Sequence, residues 1–393
     1  MTIDFIDIVI FLAAGQALLL SFLIFHKHHQ LYANRFLALM LLAYSLILVH
    51  LILWEIGIYD RYPHLYPQIM GLAFLIGPLH YLYARFLITY QQHLKKTDWL
   101  HFLPFLFYQI YLGRYLFKSS DEIMVIIRSM ETKTVEVEFI LYDWFIIVQG
   151  SLYLILTLII LYRYRRKIKN AFSSLDKVRL NWLRNITYLA ACGMLVYLLE
   201  NTLWLAGINL TNYNLSSVII AGYVYSMGYL GLTKVEVFTR PEISANILQV
   251  MQFQNLKLAD GQSSVEEKKY SKSGLSEINA KIYRQKLIEV MENEKLYRDS
   301  NLTLSQLAEF VGISPHNLSE VLNTQLGENF FDFINKYRVD EAKKNLTDPQ
   351  KQNLKILTIA LEAGFNSKTA FNTIFKKVTG LTPSSYRQKH VLS

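Results

Sequence analysis

LTLSQLAEFVGISPHNLSEVLN, residues 302–323, is the stretch whose reading decides how this chain folds. Thr303 or Ser305 can cap a short helix carrying Leu307 and Ala308, because a side-chain oxygen there accepts an amide proton that the first helical turn leaves unpaired. Gly312 ends that helix in a tight turn, where a positive φ is tolerated. Ser314 caps the next helix, with Pro315 in its first turn, where a missing amide is harmless. Ala308 is small where two helices cross closely, and Leu318, Val321 and Leu322 recur at the spacing of one helical face. Helix, tight turn and second helix make a helix-turn-helix unit, whose second helix is suited to the major groove of duplex DNA.

The pattern recurs in KILTIALEAGFNSKTAFNTIFKKVT, residues 355–379. Ile359 and Ala360 support a first helix, Gly364 makes the turn, and Ser367 caps a second helix anchored by Phe371, Ile374 and Phe375. Ala308 to Gly312 and Ala360 to Gly364 are equally spaced. Between the units, residues 329–346 read as one long helix with Phe330, Ile334, Tyr337 and Leu346 facing inward. Such a rod holds both second helices on one face of DNA, about 34 Å apart if they enter successive major grooves. Upstream, residues 277–296 read as a helix in which Ile278, Ile282, Leu287, Val290 and Met291 recur near helical spacing.

Over residues 277–387 the chain resembles the AraC/XylS-type transcription regulators. Both helix-turn-helix units carry the resemblance, with the connecting segment FINKYRVDEAKKNL (333–346) and the terminal signature GFNSKTAFNTIFKKVTGLTPSSYR (364–387). It implies a bacterial protein in which exposed positions of the two second helices contact bases and phosphates. On this chain those positions are His316, Asn317, Ser319 and Glu320 in the first unit and Lys368, Thr369, Asn372 and Thr373 in the second. Lys376, Lys377 and Arg387 are the candidate phosphate contacts, with plain surface charge as the rival reading. Asn can pair with adenine, Lys with guanine or phosphate, and Ser or Thr with base or backbone. Glu320 departs from the family pattern, which favours a basic or amide side chain there. A carboxylate repels phosphate but accepts from cytosine N4, and a solvated surface role is the alternative. Phe371, Phe375 and Tyr386 read as core.

Outward from this domain the composition changes. The chain has 393 residues, 52% of them apolar, with a net charge of +9, and nearly all its long apolar runs fall in residues 1–235. About 20 mostly apolar residues cross a bilayer as a helix. Seven candidates meet that description: 5–25, 36–56, 69–88, 100–117, 139–161, 186–208 and 215–232, the fourth the most polar, with His101, Pro104, Gln109 and Arg114. Residues 236–276 read as a linker with flexible Gly/Ser stretches and one further candidate helix at 242–258. The expected fold is all-α: a seven-helix transmembrane bundle over 1–235, a cytoplasmic linker, and a soluble domain over 277–393 with two helix-turn-helix units joined by a long helix. GPLHYLYARF and HFLPF carry a weaker resemblance to members of the family with a multi-span N-terminal domain.

Charge sets the expected orientation. Lys27, Arg35, Lys95, Lys96 and a dense run from Arg163 to Arg184 lie in alternate connections, and the others carry little positive charge. The positive-inside rule then places the N-terminus outside and the C-terminal domain in the cytoplasm of a multi-pass protein of the bacterial inner membrane. Trp54, Trp144 and Trp204 fall at outer ends of their runs and Trp99 and Trp182 at inner ends, the headgroup levels that Trp prefers. No cleavable leader is evident, since Asp4 and Asp7 stand where positive charge is needed. Polar residues inside spans are functional candidates. Glu55, Asp143, Glu200 and Asn201, all toward the outer side, are the candidate ligand or sensor residues, with interfacial anchoring as the alternative. Gly77-Pro78 is expected to kink the third span, and Arg85 to snorkel to the inner face.

Other chemistries find little support. One cysteine, Cys192, excludes an intramolecular disulfide and a Cys-rich zinc site. There is no H-E-x-x-H helix, no G-x-S-x-G turn and no phosphate-cradling glycine loop, so neither an enzyme nor a cofactor is expected. The expectation is a membrane-embedded, one-component transcription regulator. Its expected partners are promoter DNA, the lipid bilayer, an unidentified small-molecule or peptide signal and, as further candidates, a second copy of the chain and RNA polymerase. The rivals are a receptor or transporter whose helical tail binds a protein, and an intramembrane enzyme using Glu200 and Asp143.

Overall fold

The computed structural model describes residues 5–28, 31–89, 93–131, 137–175, 180–208, 215–233 and 275–391. Among these residues every regular element is a helix, with no strand. The chain divides into two compact units, one of Met1–Tyr162 with Leu180–Thr239, the other of Arg163–Arg179 with Arg240–Ser393. Almost all of the expected linker, including its candidate helix at 242–258, lies outside the described residues.

The first unit holds α1 (Phe5–His28), α2 (Tyr32–Glu55), the short α3 (Ile58–Arg61) and α4 (Leu65–Met70), α5 (Ala73–Thr89), α6 (Leu103–Leu112), α7 (Ser120–Glu131), most of α8 (Val137–Ala171), α9 (Asn181–Leu205) and α10 (Leu215–Thr233). Helix α1 packs on α2 and α10, α2 on α5, and α10 on α9. The α1–α2 contact is close because Ala13, Ala14 and Ala17 are buried there. Ser45 Oγ donates to the Ala14 carbonyl at 2.9 Å, and Ser21 Oγ to that of Ala38 at 2.8 Å. The outer surface of α1 is apolar: Phe11, Leu18 and Phe22 are 65%, 53% and 66% exposed. Small residues inside and large apolar ones outside invert the pattern of a water-soluble bundle.

Five helices in the described residues are long and apolar enough to cross a membrane: Phe5–His26, Tyr32–Glu55, Leu65–Thr89, Val137–Ala171 and Asn181–Leu205. The sequence led us to expect seven. The last expected span forms α10, whose apolar stretch Leu215–Met227 is shorter. The fourth is not one helix. It is a 3-10 turn (Lys96–Phe102), then α6, then a second 3-10 turn (Gly113–Phe117). Pro104 lacks an amide and so starts an α-helix well but cannot continue one from upstream, which explains the break. This broken element still runs antiparallel beside α5 and α8. Near its start Asp98 pairs with Arg85 at 2.7 Å, and His101 Nδ1 meets the Tyr153 hydroxyl at 2.9 Å. Near its end Gln109 Nε2 donates to the Gln68 carbonyl, the Tyr111 hydroxyl donates to Glu138 at 2.5 Å, and Arg114 pairs with Glu138. Arg85, expected to snorkel, is thus an ion-pair partner, and α5 continues through Pro78. The expected connection 118–138 contains α7, which buries Ile123, Ile126 and Ile127.

In the second unit α11 (Glu277–Asn293) buries Ala280, Leu287 and Met291, while Ile278 and Ile282 face solvent at 72% and 56%, against expectation. Then come α12 (Leu304–Val311), α13 (Pro315–Gln325), α14 (Phe330–Thr347), α15 (Ile356–Glu362), α16 (Lys368–Thr379) and α17 (Pro383–Val391). Two cores form. The first gathers Leu287, Leu307, Val311, Leu318 and Leu322 with Phe330, Phe333 and Ile334 of α14. The second gathers Ile359, Ala363, Phe365, Phe371 and Phe375 with Val339, Ala342 and Leu346 of the same helix. One end of α14 therefore belongs to each helix-turn-helix unit.

Candidate nucleic-acid interface

Local chemistry fixes each turn of the two units. Thr303 caps α12 through a reciprocal box: its hydroxyl accepts from the Gln306 amide at 3.3 Å, and Gln306 Oε1 accepts from the Thr303 amide at 2.8 Å. Gly312 closes α12 in the left-handed region at φ +74°. Ser314 and Ser367 each accept at 3.1 Å from an amide in the first turn of α13 and α16. Gly364, at φ +92°, leaves no room for a side chain unless backbone shifts, because a Cβ there would run into the Tyr297 carbonyl oxygen.

On α16, Phe371 and Phe375 are fully buried, and Lys368, Thr369, Thr373, Lys376 and Lys377 are exposed, with Asn372 half-buried. Lys368, Asn372, Thr373 and Lys376 fall at the three-to-four spacing of one helical face, opposite the core. Lys377 leans to the side and pairs with Asp332 of α14 at 3.0 Å. On α13, Leu318, Val321 and Leu322 are buried, His316 is exposed, and Asn317, Ser319 and Glu320 are half-buried. His316 Nδ1 stands 3.8 Å from Glu320 Oε2. The carboxylate that departs from the family pattern thus lies one turn from an imidazole on the same face. Arg387 on α17 donates to the Leu354 carbonyl at 3.0 Å, tying the last helix to the loop before α15.

Sequence reasoning missed a buried cation in the middle of α14. Arg338, midway along α14, is 1% exposed. Its guanidinium donates to the carbonyls of Tyr297 (2.7 Å), Asp299 (2.8 Å) and Ser173 (2.9 Å), and to Ser173 Oγ (3.0 Å). Burial pulls this group down to about 10. An arginine inside FINKYRVDEAKKNL reads as one more surface cation of a polar helix, so nothing in spacing alone signals its burial.

Of the candidate sensor residues, the structure brings Asp143 and Asn201 together at Tyr197. Glu55 is exposed at the end of α2. Asp143 accepts from the Tyr197 hydroxyl at 2.6 Å, Glu200 from the Ser216 amide at 3.2 Å, and Asn201 donates to the Tyr197 carbonyl within its own helix at 2.8 Å. Another polar group is more deeply set: buried His80 meets the Tyr223 hydroxyl at 2.9 Å and Thr187 Oγ1 at 3.1 Å, joining three helices.

Residues 307–389 match the model of a family described as "Helix-turn-helix domain". An uncharacterized HTH-type transcriptional regulator of Staphylococcus aureus is 37% identical over 102 residues, which are 26% of this chain and 13% of that protein. The arabinose operon regulatory protein of Escherichia coli is 33% identical over 89 residues, 23% of this chain and 30% of that protein. The chain thus spans less than a third of the length of these relatives. Among solved structures, the C-terminal domain of AraT, a response regulator from Geobacillus stearothermophilus, is 33% identical, with 31% of this chain and 92% of that one covered at a TM-score of 0.25. Over residues 307–389 the family match agrees with the geometry: this chain carries an AraC-type helix-turn-helix domain at its C-terminus, and the two relatives named above are described as regulators.

Proposed function

We propose that this protein is a membrane-embedded transcription regulator that reads promoter DNA with α13 and α16. The observation that carries the reading is the pair of helix-turn-helix units sharing α14, each with a polar, solvent-facing stripe on its second helix. In this reading Asn317, Ser319, Lys368, Thr369, Asn372 and Thr373 face base edges or the adjoining backbone, and Lys376 meets phosphate. Lys377 and Arg387 already serve protein partners and act mainly in positioning. The first unit is the membrane part. Its lipid-suited outer surface supports this, and so does the course of residues 96–117. Taken straight, the 3-10, α and 3-10 pieces rise roughly 40 Å, enough for the ~30 Å hydrocarbon layer. A crossing in pieces is tolerated where neighbouring helices pair its polar groups, as α5 does for Asp98 and α8 for His101. That crossing keeps the count at seven, with the N-terminus outside and the tail in the cytoplasm. The basic residues 163–175 belong to the same compact unit as the DNA-binding domain, which supports their shared placement on the inner side. A signal received by the first unit is the proposed input.

The test uses the full chain in detergent micelles. It should enrich discrete duplexes from a random double-stranded library, with affinity falling steeply as salt rises, because displaced counterions dominate binding to phosphate. A tail that serves a protein partner would enrich none.

A further inference from the structure

One piece of the DNA-binding unit does not come from the tail at all. Residues 163–175, the end of α8 and the turn after it, belong to that unit. The turn is held on three sides. Phe172 makes an antiparallel bridge to Thr303, the cap of α12. Ser173 donates its amide (3.2 Å) and its hydroxyl (2.7 Å) to the Leu302 carbonyl, while its own carbonyl accepts from Arg338 and, at 3.1 Å, from Asn335. Ser174 Oγ accepts from Asn366 Nδ2 at 2.6 Å, beside the cap of α16. Phe331, Asn335 and Arg338 line one face of α14, all three buried, and Phe331 belongs to neither core. The Lys169 ammonium lies 5.8 Å from its ring centroid. A buried apolar ring outside both cores and a buried guanidinium that turns two of its donors to Ser173 describe a receiving surface with its occupant in place.

The position of that occupant matters. Ser173, Ser174 and Leu175 line one side of a cleft whose other side is Thr369, Ala370 and Thr373 of α16. Thr369 and Thr373 are exposed positions of the second reading helix. A duplex seated against them must use the space beside the turn.

We propose that the surface formed by Leu302, Asn335, Arg338 and Asn366 is a docking site for the 172–175 turn, and that the docked turn competes with DNA for the second reading helix. The inference rests on the DNA-binding reading above and adds its regulation. Because the turn directly continues α8, a shift of that helix along or about its axis pulls on Ser173. Undocking frees the Thr369–Thr373 side of α16.

The test uses the full chain in detergent micelles, with Cys192→Ser removing the only native thiol and Ser174→Cys plus Asn366→Cys supplying two new ones. A bifunctional methanethiosulfonate joins them and reductant releases them. The probe is the duplex that the reduced protein enriches most from a random library. Joining the thiols should weaken binding of that duplex about tenfold, with full recovery on reduction. Ser173→Pro removes the amide donor and the hydroxyl while leaving every residue of the two helix-turn-helix units unchanged, and should tighten binding. Unchanged or tighter binding in the joined protein overturns the proposal, as does failure of the two thiols to be bridged in the folded chain. Enrichment without any effect of the bridge sinks the docking site alone. If the reduced protein enriches nothing, the DNA-binding reading falls and takes this inference with it.

Discussion

Gly364 and Gly312 occupy the same place in the two units but under different constraints. Both have positive φ, where a side chain strains the backbone. At Gly312 an added Cβ meets only the tip of Lys286, at 3.3 Å, and a flexible side chain can move aside. At Gly364 it meets the backbone of Tyr297 and Arg298, at 2.4 Å and 2.8 Å. Gly312→Ala should therefore cost about 1–2 kcal/mol, the left-handed penalty alone. Gly364→Ala should cost roughly 2–4 kcal/mol, because backbone must shift as well. Denaturant midpoints of the two variants should rank in that order, and equal midpoints would contradict the close approach. For recognition, Lys368→Ala and Asn372→Ala should each lose about 1–3 kcal/mol on the selected duplex and relax preference at one base pair. Lys376→Gln should weaken all duplexes alike and lower the salt slope by about one. A titration series in salt tells the two behaviours apart.

At the scale of elements, α14 is the part on which both cores depend, and ion pairs pin it to its neighbours. Asp332 meets Lys377 of α16, and Glu341 meets Arg298 and, at 3.1 Å, the Tyr297 hydroxyl. Burial works to raise both carboxyls. The Lys377 ammonium at Asp332 and the Arg298 guanidinium at Glu341 outweigh it and hold both below the ordinary carboxylate range. A carboxyl held low in the folded state contributes stability that is complete above its unfolded value, near 4, and is lost as pH falls through the folded value. The thermal midpoint of the DNA-binding unit should then be flat from pH 8 to about 6 and drop below about pH 4.5. Glu341→Gln should make that drop shallower. A midpoint that falls between pH 8 and 6 instead would place the titrating group elsewhere. α7 shows how an element hides in plain sight. Ser119 and Glu122 form a capping box, and Ile123, Ile126 and Ile127 follow at helical spacing. The signal was present in residues that look like a charged connection.

For the whole molecule, the outward face of α1 makes a direct prediction. A chain whose exposed residues include Phe11, Leu18 and Phe22 should remain with membranes through carbonate or high-salt washing and leave only with detergent. Release by salt alone would remove the membrane reading. Under the proposed topology, reporters fused within 90–92 and within 132–136 should report opposite sides, because residues 96–117 lie between them, and the same side from both would remove that crossing.

What the amino-acid sequence determined by itself is what local chemistry decides. Caps at Thr303, Ser314 and Ser367, turns at Gly312 and Gly364, the core faces of α13, α14 and α16, and long apolar helices in the first 235 residues all follow from residues within a turn or two of one another. The polar stripe of α16, with Lys368, Thr369 and Thr373 exposed, was legible for the same reason. Tertiary structure alone decided the rest. It laid the pieces of the run 100–117, which Pro104 breaks locally, beside α5 and α8, because those helices supply Arg85 for Asp98, Tyr153 for His101 and Glu138 for Tyr111. It also buried Arg338 and set Ser173 on it across 165 residues of chain. No periodicity spans that distance. Only the folded chain brings a guanidinium that must be paired to a turn whose carbonyl and hydroxyl can meet it.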